Sequence, residues 1–92
     1  MNMERPKIKW IIKSKMTQNR EPEYYAFADD AGMWDFRKYL REEMESFSIE
    51  LRMISRRDDE LEEHLSHCKL GTKEHRDGLK EYYDRQPLVK IA

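Results

Sequence analysis

Met44–Cys68, MESFSIELRMISRRDDELEEHLSHC, is the stretch whose reading decides the fold. Met44, Phe47, Leu51, Ile54, Leu61, Leu65 and Cys68 follow one another at steps that alternate three and four, with Asp58 the one polar residue on the seam. That spacing places them on one stripe of an α-helix and matches a heptad. Upstream, Phe36 and Leu40 lead into the same stripe, so the pattern predicts a long helix over about 33–70.

A straight helix of that length would run about 57 Å at 1.5 Å per residue. A compact 92-residue chain is only about 32 Å across, scaled from its expected radius of gyration. Two resolutions follow. The helix breaks near Arg56, Arg57, Asp58 and Asp59, where bases would end one dipole and acids begin the next, or it continues and pairs with a second copy. No glycine or proline marks a break, so the expectation is a homodimer, with Phe47, Leu51, Ile54, Leu61, Leu65 and Cys68 as the dimer or partner interface.

Working outward, the N-terminal side changes period. In KIKWIIKSK, residues 7–15, Ile8, Trp10 and Ile12 alternate with Lys7, Lys9, Lys13 and Lys15, the signature of a half-buried strand with a lysine-rich outer face. MTQNREP, residues 16–22, reads as a connection, and the aromatic run within 23–28 as a second, antiparallel strand. Asp29 or Asp30 then offers a helix cap. On the C-terminal side, Gly71-Thr72 reads as a stop followed by a start, giving a shorter helix over 73–85. Pro87 ends it, and LVKI, residues 88–91, is a candidate third strand. The expected architecture is one small α+β domain over 1–92: a β-hairpin, a long helix, a shorter helix and a closing strand.

Composition narrows the function classes. Charged residues make up 40% of the chain and the net charge is only −1, so a thin core is surrounded by solvating groups of both signs. The signs are unevenly placed. Residues 1–20 hold Arg5, Lys7, Lys9, Lys13, Lys15 and Arg20 against Glu4, and the rest of the chain is acidic. With one cysteine, no signal-like apolar run and no stretch near the roughly 20 apolar residues of a membrane span, the expected setting is cytoplasmic.

His64, His67 and Cys68 are the one cluster of metal-ligand types, and on a helix His64 and Cys68 share a face. Structural zinc sites in small domains usually join separated segments, and no second ligand pair is evident here. A thiolate at a helix C-terminus is also disfavoured by the dipole. The plainer reading is a seam cysteine beside two solvated histidines. Asp58-Asp59 and Glu62-Glu63 are split between helix faces rather than focused on one site. No glycine-rich phosphate loop or nucleophile motif is present. No catalytic residue, cofactor or metal is therefore expected.

Two binding functions remain. The preferred one is a non-enzymatic module that dimerises through its long helix and presents a strand edge or helical face to a protein target, an inhibitor or adaptor of the kind frequent among phage and other mobile-element accessory factors. Trp34, Phe36, Tyr82, Tyr83 and Arg85 are large side chains of the interface type, most of them expected in the core of so small a chain. The alternative is nucleic-acid binding, with Lys7, Lys9, Lys13, Lys15 and Arg20 on phosphates and Trp10, Tyr24 or Tyr25 stacking on bases.

Overall fold

Trp10–Lys15 forms strand β1, and everything else is arranged around it. Glu23–Phe27 (β2) and Ser48–Met53 (β3) pair with it antiparallel on either side, giving the order β2-β1-β3. Three helices complete an α+β fold: α1 Asp30–Glu42, α2 Asp59–His67 and α3 Lys73–Asp84. These features come from a computed structural model that describes residues 7–88.

Period two in β1 sorts its side chains, but neither face meets solvent freely. Trp10 and Ile12 turn toward α1, while Ile11 turns toward α2 and α3; both isoleucines are fully buried. The lysine face is thus roofed by helices. Lys13 illustrates it, with its ammonium 5.8 Å from the centre of the Tyr83 ring.

Side-chain caps set each helix start. Asp29 accepts from the Gly32 amide, Asp58 from Leu61 and Thr72 from His75, each satisfying a donor that the first helical turn leaves unpaired. Gly71 precedes the last of these with φ +83°, a left-handed conformation that suits a residue without a Cβ. The stop and start read from Gly71-Thr72 is therefore the observed turn.

The long helix over 33–70 does not form. α1 ends at Glu42, Glu45 takes a left-handed φ of 51°, and the chain returns as β3 before α2 begins. Physically, the seam was a coincidence of spacing. Ile49, Leu51 and Met53 alternate with Glu50 and Arg52, and these two sets serve opposite faces of a strand. Glu42, Glu43 and Glu45 also crowd the end of α1, where the helix dipole disfavours acids. Of the alternative, a helix broken near Arg56–Asp59, the second start is seen, with Asp58 as the cap of α2, but the segment before it is β3 and a loop rather than a helix end. The third strand accordingly lies between α1 and α2 rather than at the C-terminus. Of the predicted strand 88–91, Leu88 is exposed and outside any strand, and residues 89–91 lie outside the described residues.

Loss of that helix removes the surface on which the homodimer was argued. Leu51 lies on β3 and packs against the α1 face, and Ile54, just beyond the strand, is buried beside Leu65 and the α3 tyrosines. Leu61 packs on the same group, Cys68 caps α2, and Phe47 is 60% exposed just before β3. The six residues share no single face.

Two cores result, one on each side of the sheet. Trp10, Ile12, Met33 and Leu40 are buried between the sheet and α1; Ile11, Tyr24, Ile54, Leu65, Leu79, Tyr82 and Tyr83 are buried beneath α2 and α3. The two helices of the second layer approach closely at Gly78, where an added Cβ would stand 2.6 Å from Leu65 Cδ2.

Candidate functional site

β2 is an edge strand. Its inner side pairs with β1, and among the described residues no strand pairs with its outer side. Such an edge presents unpaired backbone donors and acceptors to any extended chain laid beside it. Beside this strand runs a groove of about 470 Å³, bordered by Tyr25, Phe27 and Phe36 on one flank and by Leu70, Lys73 and Arg76 on the other.

The aromatic flank is built by packing between β2 and α1. The Phe36 ring lies 4.6 Å from that of Tyr25 and 5.3 Å from that of Phe27, centre to centre, so the three side chains hold one another in place. Burial pushes the Tyr25 hydroxyl above its usual pKa, and the nearby Glu23 carboxylate adds to this. It stays a neutral donor near pH 7. The opposite flank is the turn between α2 and α3. Leu70 is 79% exposed there, a large apolar side chain left in water at the rim of an apolar groove. Arg76 reaches across to Glu21 at 3.7 Å, and desolvation lowers the pKa of the groove residue His75, favouring the neutral ring.

The basic N-terminal segment is differently placed. Lys7 meets Asp59 at 3.0 Å, Lys9 meets Asp30 at 2.8 Å and Lys13 lies 4.0 Å from Glu50. Only Lys15 and Arg20 of the five candidate cations have no carboxylate within 4.0 Å among the described residues. Trp10 is buried with its indole N–H donated to Asp30 at 2.8 Å, and Tyr24 is buried against Tyr83. The structure does not bring a free lysine row and a stacking aromatic together.

Tyr82 and Tyr83 are buried, as expected of most of the large aromatics in so small a chain, and with Arg85 they hold α3 onto the body. Tyr82 donates to Glu62 at 2.7 Å and accepts from the Asp58 amide at 3.1 Å; Arg85 donates to Asp58 at 2.8 Å. Glu62 also accepts from the Ile8 amide at 2.8 Å and is paired with Arg57. Tyr83 donates to Glu50 at 3.2 Å, and its ring lies 4.3 Å from the Arg52 guanidinium carbon. Desolvation, assisted by these carboxylates, pushes both tyrosine hydroxyls up to about 12. Trp34, by contrast, is 40% exposed, with Arg37 5.5 Å from its ring centre.

At the far end of the α2–α3 turn, His64 and Cys68 keep the shared helical face expected of them, with Nε2 and Sγ 3.5 Å apart. Desolvation, and then the Glu74 carboxylate, push the Cys68 thiol above its ordinary pKa. Sequence spacing missed the groove as a unit. Phe36 was visible as a large aromatic, but Leu70 and Arg76 join it only through the turn at Gly71. Compared with protein-family models, curated proteins and solved structures, the chain gives no match in any of the three.

Proposed function

We propose that the chain is a non-enzymatic binding module that takes up an extended segment of a partner protein along the outer edge of β2. The single observation that carries this reading is the coincidence of an unpaired strand edge with an aromatic-walled groove. Main-chain pairing supplies affinity in this mode, and the pocket beside the strand selects alternate side chains. An apolar side chain of the partner fits between Phe36 and Leu70. An acidic residue fits next to Lys73 and Arg76, which outnumber Glu23 among the charged groups of the groove. Whether such capture inhibits the partner or links it to another protein depends on the partner.

Selection from a displayed library of extended peptides tests this. The expected binders alternate apolar and acidic residues, shift the backbone amides of β2, and lose about tenfold or more in affinity on Leu70→Glu. Leu70 is exposed, so that variant keeps the fold. Binders whose amide shifts fall on β3, or whose affinity ignores Leu70→Glu, sink the proposal. Pairing of β2 with the same strand of a second copy would appear instead as concentration-dependent mass in light scattering. Salt-sensitive retention on nucleic acid, lost when Lys9 and Lys13 are both changed to Glu, would replace it with the alternative reading.

A further inference from the structure

The groove leaves unused the opposite end of the α2–α3 turn. His64 lies in the last turn of α2, Cys68 caps that helix, and Glu74 belongs to the first turn of α3. His64 Nε2 stands 3.5 Å from Cys68 Sγ and 3.5 Å from Glu74 Oε1, and one donor atom of each residue lies within 4.8 Å of the other two. We propose that His64, Cys68 and Glu74 bind one zinc-class divalent cation.

Three features carry the assignment. The first is donor spacing. A tetrahedral ion with Zn–S near 2.3 Å and Zn–N near 2.05 Å holds its sulfur and nitrogen ligands about 3.5 Å apart. A cation at the centre of the cluster therefore needs only small side-chain adjustment, and the helices need not move. The second is charge. A thiolate, a carboxylate and a neutral imidazole sum to two negative charges, which the cation neutralises. A mixed sulfur, nitrogen and oxygen set of this kind suits zinc rather than magnesium or calcium, which take oxygen ligands.

The third is connectivity. Two ligands come from one helix at i and i+4, and the third comes from the next helix across a turn, so the ion closes a short loop between separate segments. From sequence, His67 was as good a candidate as any third ligand. The fold selects Glu74 instead, six residues beyond Cys68, because the turn at Gly71 brings α3 back against α2. His64 and Glu74 have side chains 51% and 68% exposed, leaving the fourth position open to water. Binding would clamp the ends of the turn that carries Leu70, though the metal assignment does not depend on what the groove holds.

The test uses untagged full-length protein, stripped with chelator and kept reduced. Titration with zinc chloride by calorimetry is expected to give one ion per chain. Cobalt chloride is expected to give intense visible bands of a tetrahedral ion and a thiolate-to-cobalt band in the near ultraviolet. Cys68→Ser should abolish the latter. Cys68→Ser and Glu74→Gln should each weaken zinc by about tenfold or more, since each removes one of few ligands, whereas His67→Ala should leave it unchanged. Zinc should also slow alkylation of Cys68. Absence of one-to-one binding, a cobalt spectrum without thiolate character, or zinc held at full affinity by Glu74→Gln overturns the assignment. So does its loss in His67→Ala. His64, His67 and Glu74 are exposed and Cys68 is part-buried, and far-ultraviolet circular dichroism of each variant checks that the fold is kept.

Discussion

The two faces of the sheet are stabilised by different means. Against α1, Trp10, Ile12, Met33 and Leu40 form an apolar layer whose main polar tie is the Trp10–Asp30 hydrogen bond at its margin. Against α2 and α3, the buried tyrosines carry hydroxyls, and those hydroxyls, Gln86 and Arg52 stitch helix to strand. Burial of apolar area dominates the first face and depends little on pH. The second couples packing to a polar network whose members depend on one another, although the buried Nε of Arg52 has no partner among the described residues. Both faces bury aliphatic side chains, and the difference lies in the aromatics: Tyr24, Tyr82 and Tyr83 bring hydroxyls into the second core, whereas Trp10 is the buried aromatic of the first.

The comparison predicts where damage is greatest. Ile12→Ala removes a fully buried side chain from the face that has little else, and should cost about 2–5 kcal/mol by denaturant unfolding. Gln86→Ala should come next. The Gln86 side chain accepts from the Ser55 and Arg56 amides at 2.9 and 2.8 Å and donates to the carbonyls of Arg56 and Tyr82. Its loss strands those groups at about 1–3 kcal/mol. If Gln86→Ala costs more than Ile12→Ala, the ranking of the two faces is wrong.

How far this could be read beforehand follows from the same residues. β1, β2 and the caps at Thr72 and at one of Asp29 and Asp30 were legible because each depends on neighbours in sequence, whereas the cap at Asp58 was hidden inside the apparent seam. β3 was not, since Phe47, Leu51 and Ile54 satisfy a heptad as well as Ile49, Leu51 and Met53 satisfy alternation. Its stop lies at Glu45, where no glycine announces a left-handed turn. Once β3 is taken for helix, the edge status of β2 is invisible, because it depends on which side of β1 the third strand occupies. The groove and the Glu74 ligand are tertiary facts of this kind. The limit that chain length sets on a helix is visible in the shape: principal extents of 41 × 29 × 25 Å leave no room for a straight helix of 38 residues at about 1.5 Å each.

Alkaline pH separates the faces without mutation. The Tyr82 and Tyr83 hydroxyls ionise near 12 in the folded chain, against 10.0 for an ordinary tyrosine. Between those values the unfolded chain releases protons that the folded chain keeps, so unfolding gains and stability falls as pH rises. Below pH 10 this contribution is fully present. Melting temperature should therefore decline across pH 10–12, and the decline should flatten in the Tyr82→Phe, Tyr83→Phe double variant. An equal decline in that variant would place the titrating groups elsewhere.

The smallest effect is expected at Lys7, which belongs to neither interior. The Lys7–Asp59 pair has side chains 62% and 75% exposed. Attraction between solvated charges is screened, and ordering two long side chains offsets most of it. Lys7→Ala should change stability by less than about 0.5 kcal/mol, with little dependence on salt. Near-neutrality here has a use. It means that a charge change at Lys7 leaves both faces of the sheet intact, so binding lost on altering it reports a lost contact and not a lost fold. A cost above about 1 kcal/mol would show that Lys7 is coupled to α2 more strongly than an exposed pair allows, and the second face would then have to be drawn to include the approach to β1.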